Sequence, residues 1–383
     1  MLTNSDLVEL TEFRRELHRW PEISGEEAET ATRIAAALRA LGADRILTGL
    51  GGHGVAAVFE SGEPGETVLF RAELDALPIE ELTELPWTSR VPGKGHLCGH
   101  DGHMTMLLGL GRLLSRRPVA RGRVVLMFQP AEEDGSGARA VVADPGFAGI
   151  APDWAFAIHN EPGRPFGSVS TRIGLINCAS RGLEIRLTGK TAHAADPEDG
   201  VSPARAVAAL IPALEALGRG GALEAEFRLV TLTHVRIGEA TFGIAPGEAV
   251  LHATLRTGED AGMAALETEA RARVSRIAAA EGLEVEFALQ DVFAASINDA
   301  EATAVARAAM DALGIPHGEE GVPMRASEDF GVFGRGAKAA MLCLGPGEGS
   351  AALHNPDYDF DDGLIPIGVE LFERIARDLL GRA

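Results

Sequence analysis

The sequence is poor in cysteine, in basic residues and in aromatic residues, which make up only 5% of it. Three cysteines among 383 residues, Cys98, Cys178 and Cys343, do not make a disulfide framework, and this favours the cytoplasm. Lysine and arginine number 35 against 56 acidic residues, so the net charge is −21. Because so acidic a surface repels phosphate backbones and anionic lipids, we expect neither a nucleic acid nor a membrane as partner.

Long hydrophobic runs are also missing. No segment approaches the ~18 consecutive apolar residues that a membrane span requires. Residues 1–20 carry four acidic residues and no apolar core, so we expect no secretory signal and a cytoplasmic location. What the sequence does have is 46% hydrophobic residues and 46 glycines, which is typical of a globular protein with many tight turns.

Hydrophobic periodicity predicts two architectures along the chain. Helix-like stretches, the first over Asp6–Arg19 with Ser5 as N-cap, alternate with short apolar strands such as Arg123–Phe128 and Trp154–His159. This alternation predicts an α/β domain with a largely parallel sheet. The middle of the chain reads β-α-β-β-α-β, the order of a ferredoxin-like α+β domain. We therefore expect a catalytic α/β domain over 1–176 and 291–383, interrupted by an inserted domain over 177–290.

The densest group of candidate metal ligands is His96–His103, which holds three histidines, Cys98 and Asp101 within eight residues. It follows a Pro/Gly-rich stretch, which predicts a loop that enters a helix near Asp101. Thiolate and imidazole ligands together suit a borderline-soft divalent ion such as zinc. The alternative interpretation is a polar loop with one reactive cysteine.

Three further candidates follow predicted strands. Glu132 and Glu133 come just after Phe128, His159 ends the next strand, and His354 follows a later buried strand. Carboxyl ends of parallel strands are where α/β sheets place active sites, so these residues should meet near the Cys98 loop. Together they could hold two metal ions that share a site. Taken singly, the glutamates could also form a solvated turn and the histidines could be structural.

At these positions the sequence resembles the metallopeptidase family of aminoacylases, dipeptidases and succinyl-diaminopimelate desuccinylase. It is most similar to the branch of indole-3-acetyl-amino acid hydrolases, hippurate hydrolases and N-acetyl-diaminopimelate deacetylases. The matching stretches, spread over nearly the whole chain, are Arg14–His18 with Pro21 and Glu22, Arg71–Pro78, Cys98–His103, Phe128–Glu133, Gly189–His193, Ser327–Phe330 and His354–Tyr358. The resemblance implies a zinc-peptidase-like α/β/α catalytic domain with an inserted ferredoxin-like lid domain.

The resemblance also implies a ligand set for two divalent ions. Cys98 would bridge the two ions, His100 and His159 would complete one site, and Glu133 with His354 would complete the other. Zinc is the expected metal, and manganese, cobalt or nickel are alternatives.

Other roles implied by the resemblance concern catalysis and assembly. Glu132 would be the general base, and Asp75 would orient its neighbours from behind the metal site. His193, on the lid, would reach into a neighbouring active site and stabilise the developing oxyanion. The substrate would be a small N-acylated amino acid or a related N-acyl compound, and the lid would form a homodimer.

The sequence departs from the family pattern at several positions. Glu73 stands where relatives usually have Asp, Leu97 where they have Ala, and Asp134 where they have Gly. Gly243 replaces an Asn whose amide helps to hold the substrate carboxylate, which puts recognition of an ordinary amino acid in doubt. Arg256, near the end of the following strand, is a candidate partner for that carboxylate, or else an exposed strand residue.

Two rival functions are weighed against the binuclear amidase. The first is a hydrolase with Cys98 as nucleophile and His100 or His103 as base, which would be inhibited by alkylation and not by chelators. The second is a non-catalytic protein of the same fold that binds N-acyl compounds, supported only by the departures at Glu73 and Gly243.

Overall fold

The structure is a computed structural model that describes residues 1–224 and 226–382. The α-helices of the described chain are α1 (Asn4–Arg19), α2 (Ala28–Leu41), α3 (His100–Arg116), α4 (Gly137–Ala143), α5 (Ala204–Glu215), α6 (Asp260–Ala280), α7 (Ala300–Leu313) and α8 (Leu364–Leu380). Short 3₁₀ helices cover Pro145–Ile150, Pro197–Asp199 and Asp329–Arg335. The strands are β1 (Arg45–Leu50), β2 (Gly54–Glu60), β3 (Thr67–Glu73), β4 (Arg123–Gln129), β5 (Trp154–Asn160), β6 (Val169–Ser170), β7 (Gly174–Asn177), β8 (Ala179–Thr188), β9 (Ala192–His193), β10 (Arg228–Ile237), β11 (Ile244–Ala245), β12 (Glu248–Thr257), β13 (Glu284–Phe293), β14 (Ser296–Asn298), β15 (His317–Gly318) and β16 (Lys338–Leu344).

Helix α1 begins earlier than its hydrophobic pattern predicts. Its N-cap is Thr3, whose side chain accepts from the Asp6 backbone while the Asp6 carboxylate accepts from the Thr3 backbone. This capping box satisfies two backbone donors at once. The prediction of Ser5 as N-cap is therefore wrong. Ser5 lies inside the helix, where its hydroxyl contacts Glu9 at 3.3 Å.

The larger sheet has eight strands in the order β1-β2-β4-β3-β5-β16-β6-β15. Its centre, β4-β3-β5-β16, is parallel, whereas β1, β2 and the β2–β4 pair are antiparallel. Residues of β3 and β5 are buried throughout, as expected for strands covered on both faces. The α/β class is confirmed, and the parallel centre directs the carboxyl ends of four strands to one edge.

Contacts divide the chain into two compact units. The first comprises Met1–Ile176, Ser296–Val322 and Glu328–Ala383, and the second comprises Asn177–Ala295 and Pro323–Ser327. The return of Pro323–Ser327 to the second unit was not expected from the sequence.

The second unit contains a four-stranded antiparallel sheet in the order β10-β12-β8-β13, with α5 and α6 between its strands in sequence. The inward residues Leu183, Ile185, Leu251 and Leu255 are fully buried, so one face of this sheet forms its core. This is the β-α-β-β-α-β order of a ferredoxin-like fold. Among the described residues, no helix is long and apolar enough to cross a membrane.

Candidate metal centre

The loop before α3 brings Cys98 and His100 to the edge of the larger sheet. Gly99, between them, has φ 92°, a left-handed conformation that favours glycine. A Cβ there would lie 2.0 Å from Asn160 Oδ1, so the loop packs too closely against β5 for any other residue. The two side chains on either side are buried.

His159, at the end of β5, faces the cysteine. Its Nε2 lies 3.4 Å from Cys98 Sγ, and its Nδ1 lies 2.7 Å from the backbone carbonyl of Asn160. Donation from Nδ1 to that carbonyl leaves the lone pair of Nε2 directed at the sulfur. Burial also lowers the pKa of His159, which keeps the ring neutral as a metal ligand requires.

Glu132 and Glu133 follow β4 and approach two histidines from the other side. His100 Nε2 lies 4.0 Å from Glu132 Oε2 and 3.9 Å from Glu133 Oε1, and His354 Nε2 lies 3.5 Å from Glu133 Oε2. His100 Nε2 and Glu133 Oε1 are buried and have no hydrogen-bond partner among the described residues. Burial raises the pKa of Glu133 to about 7. Such unpaired buried atoms are costly unless a ligand satisfies them.

Asp75 connects the two sides of this cluster. Its Oδ2 accepts from Ser24 Oγ at 2.7 Å and from the Glu133 backbone N–H at 3.0 Å. His100 Nδ1 lies 2.8 Å from the Asp75 backbone carbonyl and 3.5 Å from its carboxylate. Burial opposes ionisation, but contact with His100 lowers the pKa of Asp75. Asp75 therefore contacts His100 mainly through its backbone carbonyl and Glu133 through its carboxylate.

Two buried clusters behind these residues were not assigned from the sequence. His103 lies 2.7 Å from both Glu73 Oε2 and Asn160 Oδ1, and Asn160 donates to the Tyr358 hydroxyl at 2.6 Å. Glu73, where relatives usually have Asp, therefore still has a partner. Asn160 directly follows His159, and a polar residue ending an apolar strand is the signal that could have identified it.

The second cluster surrounds Arg71, a charged residue within the buried strand β3. Its guanidinium contacts Glu73, and lies 2.8 Å from Glu328 Oε1 and 2.8 Å from Asp329 Oδ1. Oxygens of Glu132, Glu328 and Asp329 lie within 4.8 Å of one another. Burial, followed by the neighbouring carboxylates of Glu328 and Glu133, raises the pKa of Glu132.

The residues present fit divalent metal ions. Ligand atoms of Cys98, His100 and His159 lie within 4.8 Å of one another, and so do those of Cys98, Glu133 and His354. Thiolate, imidazole and carboxylate donors of this kind suit zinc and its neighbours in the first transition series. All five expected ligands therefore come together, with Cys98 common to both groups.

The cysteine-nucleophile alternative is not favoured by this geometry. Burial, and then the carboxylates of Glu133 and Glu132, raise the pKa of the Cys98 thiol. A nucleophilic cysteine needs the opposite, an electropositive surrounding that lowers the pKa of its thiol.

Three candidate residues belong to the second unit. His193 lies on β9 and is exposed, with its Nδ1 accepting from Ala195 N at 3.1 Å. Gly243 is exposed, and its N–H donates to Thr241 Oγ1 at 3.3 Å. Arg256, half-buried on β12, donates to Arg325 O and Ser327 Oγ, both at 2.7 Å. Their roles stay predictions.

Comparison with known proteins identifies the family of this chain. Residues 69–378 match Peptidase family M20/M25/M40. The chain is 30% identical to N-acetylcysteine deacetylase of Bacillus subtilis (strain 168) over 370 residues, 96% of each protein. It is also 30% identical to hippurate hydrolase of Campylobacter jejuni over 376 residues, 96% of each. The structure of the Bacillus subtilis YXEP protein, described as a dinuclear metal binding peptidase, matches with TM-score 0.82 and 27% identity over 99% of each chain.

The chain therefore belongs to peptidase family M20/M25/M40. It is a metal-binding hydrolase that acts on amide bonds, and its fold is that of the family.

Proposed function

We propose that the chain is a binuclear metal-dependent amidohydrolase that removes the acyl group from a small N-acylated amino acid or related N-acyl compound. One observation carries this proposal. Two buried atoms beside the Cys98 thiol, His100 Nε2 and Glu133 Oε1, have no hydrogen-bond partner among the described residues. The names of relatives, N-acetylcysteine deacetylase and hippurate hydrolase among them, support the substrate class.

The proposed ligand set uses the two groups that share the cysteine. Cys98, common to both groups, would hold two ions together with His100 and His159 in one group and with Glu133 and His354 in the other. Zinc is the preferred ion because thiolate and imidazole donors favour it over magnesium, with manganese, cobalt and nickel as alternatives. When bound, such ions polarise the amide carbonyl and lower the pKa of a nucleophilic water.

Glu132 acts as the general base in this proposal. Its Oε2 lies 4.0 Å from His100 Nε2, and the residue adjoins Glu133, so its carboxylate would reach a water held by the ions. In this role Glu132 would take a proton from that water and deliver it to the leaving nitrogen. Asp75 keeps His100 and Glu133 in place through its contacts with both.

Residues of the second unit are proposed to recognise the substrate. Arg256 donates to a backbone carbonyl and to a hydroxyl, which are neutral acceptors, so its guanidinium charge suits a substrate carboxylate. Gly243 has no side chain and offers only backbone groups to the substrate, whereas the family resemblance implies an Asn side-chain amide at this position. His193, exposed on β9, would stabilise the developing oxyanion at the site of a neighbouring subunit.

The second unit is also the proposed dimerisation domain. β10 and β13 are the outer strands of its four-stranded sheet, and an outer strand can pair with its copy in a second chain. We place the enzyme in the cytoplasm because its three cysteines are buried and free.

The Glu132→Gln variant tests the proposal. We expect it to keep its bound metal, measured by elemental analysis, and to lose turnover by ~10²–10⁴-fold, because the amide cannot accept the proton. Turnover is measured as free amine released from a panel of N-acetylcysteine, N-acetyldiaminopimelate and hippurate. Asp134→Asn removes an exposed carboxylate two residues away and is the matched control. Wild-type turnover in Glu132→Gln would refute the assignment of the base.

A further inference from the structure

The turn that presents Glu132 and Glu133 has an unusual backbone. Ala131, directly before them, has φ 49°, in the left-handed region that residues with a Cβ rarely adopt. Such a conformation persists only when surrounding contacts hold it, and it is found preferentially at functional sites. The direction of both glutamate side chains therefore depends on whatever holds Ala131.

Three of the hydrogen bonds in this turn involve Ala131 or the Glu133 N–H. The Ala131 N–H donates to Glu27 Oε1 at 2.8 Å, and the Ala131 carbonyl accepts from Gly137 N at 2.9 Å. The Glu133 N–H donates to Asp75 Oδ2 at 3.0 Å. Of these hydrogen bonds, only the one accepted by Glu27 joins a side chain to Ala131, the residue in the left-handed conformation.

Glu27 lies directly before α2 but is not needed to cap it. The Glu22 carboxylate accepts from Thr30 N at 2.7 Å and from Glu29 N at 3.3 Å, in the first turn of that helix. Glu27 makes no side-chain cap bond. Its Oε1 accepts instead from Gly25 N at 2.9 Å and from Ala131.

The buried environment of the Glu27 carboxyl group is energetically unfavourable. The residue is fully buried, and its Oε2 has no hydrogen-bond partner among the residues that the structure describes. Burial raises the pKa of Glu27. A buried carboxyl group with an unpaired oxygen is destabilising, so its other contacts must compensate for this cost.

We propose that Glu27 is a positioning residue that holds Ala131 in its left-handed conformation and thereby aims Glu132 and Glu133 into the metal centre. The contact itself is independent of any assumed reaction, but its effect on turnover rests on the proposed function. The role requires an acceptor oxygen at the right distance from the Ala131 N–H and does not require a negative charge.

Single substitutions of Glu27 test this requirement. Glu27→Ala removes the acceptor, and Glu27→Asp, which preserves the charge, shortens the side chain so that it no longer reaches Ala131. We expect both to lower kcat by ~10–100-fold with KM little changed, as for other residues that orient a metal centre. Glu27→Gln keeps an acceptor oxygen and should retain most of the wild-type kcat. Glu22→Ala, which weakens the start of the same helix, is the matched control and should keep wild-type kcat.

A second readout does not depend on activity. Because Glu133 follows the same turn, Glu27→Ala and Glu27→Asp should also weaken zinc binding, measured by competition with a chromophoric chelator. Glu27→Gln and Glu22→Ala should bind zinc as the wild type does. A purely structural role in α2 would make Glu22→Ala at least as harmful as Glu27→Ala.

Ala131→Gly sharpens the test further. Glycine adopts φ 49° without strain, so the turn should form even without Glu27. We therefore expect Glu27→Ala/Ala131→Gly to recover several-fold of the kcat and zinc affinity that Glu27→Ala loses. If Glu27 acted only on α2, the two substitutions would be independent and their effects would add.

Three results would overturn the proposal. They are wild-type kcat and zinc affinity in both Glu27→Ala and Glu27→Asp, simple additivity with Ala131→Gly, or a loss in Glu22→Ala at least as large as that in Glu27→Ala. Glu132→Gln, assayed in parallel, separates this proposal from the proposed function. If Glu132→Gln keeps its turnover, the base assignment fails, while zinc affinity and the double substitution still report on Glu27. If Glu132→Gln is inactive and Glu27→Ala is unaffected in both readouts, only the role of Glu27 fails.

Discussion

Buried charge distinguishes the two units of this protein. In the first unit, charged side chains such as Arg14, Arg71, Glu73 and Asp101 are fully buried. In the second, the buried polar side chains of the described residues are Asn177, Ser180 and Thr257, which carry no charge. The second unit is built on apolar packing of a sheet against two helices, which needs no internal charge.

The difference shows where the protein tolerates an unfavourable energy. A buried charge is destabilising unless it is paired, hydrogen-bonded or bound to a metal. In the first unit most such groups are paired, as Arg71 is with Glu328 and Asp329. His100 Nε2 and Glu133 Oε1 are among the atoms without a hydrogen-bond partner in the described residues, and they lie 3.9 Å apart at the proposed metal centre. The comparison therefore separates buried charges that are paired within the fold from those that the proposed metal ions would satisfy.

The largest contrast should come from the buried cysteines of the two units. Cys98→Ala removes the atom common to both ligand groups, so we expect metal affinity to fall by more than ~10²-fold, since even outer contacts to ligands contribute ~10–100-fold. Cys178→Ala should leave the metal content unchanged and lower the free energy of unfolding by about 1 kcal/mol. Elemental analysis after dialysis and chelator competition measure the first effect. Equal metal content in the two variants would exclude Cys98 as a ligand.

The next effect concerns the stability of the first unit. Arg71→Gln leaves Glu73, Glu328 and Asp329 buried without their cation, and should lower the free energy of unfolding by about 3–5 kcal/mol. Urea denaturation with the metal-free protein measures this loss and avoids any contribution from bound ions. A loss below ~1 kcal/mol would show that these carboxylates do not depend on Arg71.

The pH dependence of stability provides a third test, through His18 in the first unit. Burial disfavours its charged form, but contacts with Asp101 at 2.8 Å and Glu81 at 3.2 Å outweigh burial and raise its pKa from 6.5 to about 9. The contribution of His18 is fully present below pH 6.5 and is lost as pH rises towards 9. It amounts to at most about 3 kcal/mol.

His18→Gln should therefore flatten the decline of stability between these pH values, measured by urea denaturation across the range. His234→Gln, at an exposed histidine of the second unit, is the matched control. An unchanged slope in His18→Gln would mean that His18 does not gain its proton on folding.

The smallest effect is expected at an ion pair of the second unit. Glu269 and Arg273 lie 3.4 Å apart, one helical turn apart and partly exposed on α6. Glu269→Gln should change the free energy of unfolding by less than ~1 kcal/mol, because solvent screens exposed pairs. A loss of unfolding free energy as large as that in Arg71→Gln would contradict the difference proposed between the two units.

Much of the site could be predicted from the sequence because its ligands lie in local patterns. The crowding of Cys98 and His100 around a glycine, and the placement of Glu132 and His159 after apolar strands, are enough to indicate a metal centre. Arg71 begins one of the stretches that match the family, but the resemblance implies no role for it. Its partners Glu328 and Asp329 are more than 250 residues away, so nothing in its surroundings along the chain indicates them.

By itself, the sequence determined the order of the longer helices and strands, the α/β class and the chemical types of the candidate ligands, since these depend on periodicity and on neighbouring residues. The tertiary structure alone decided which buried groups are paired and which are not. It also decided that Glu27, 104 residues before Ala131, holds the turn that carries Glu132 and Glu133. Such contacts depend on how distant segments pack in three dimensions, and hydrophobic periodicity does not predict them.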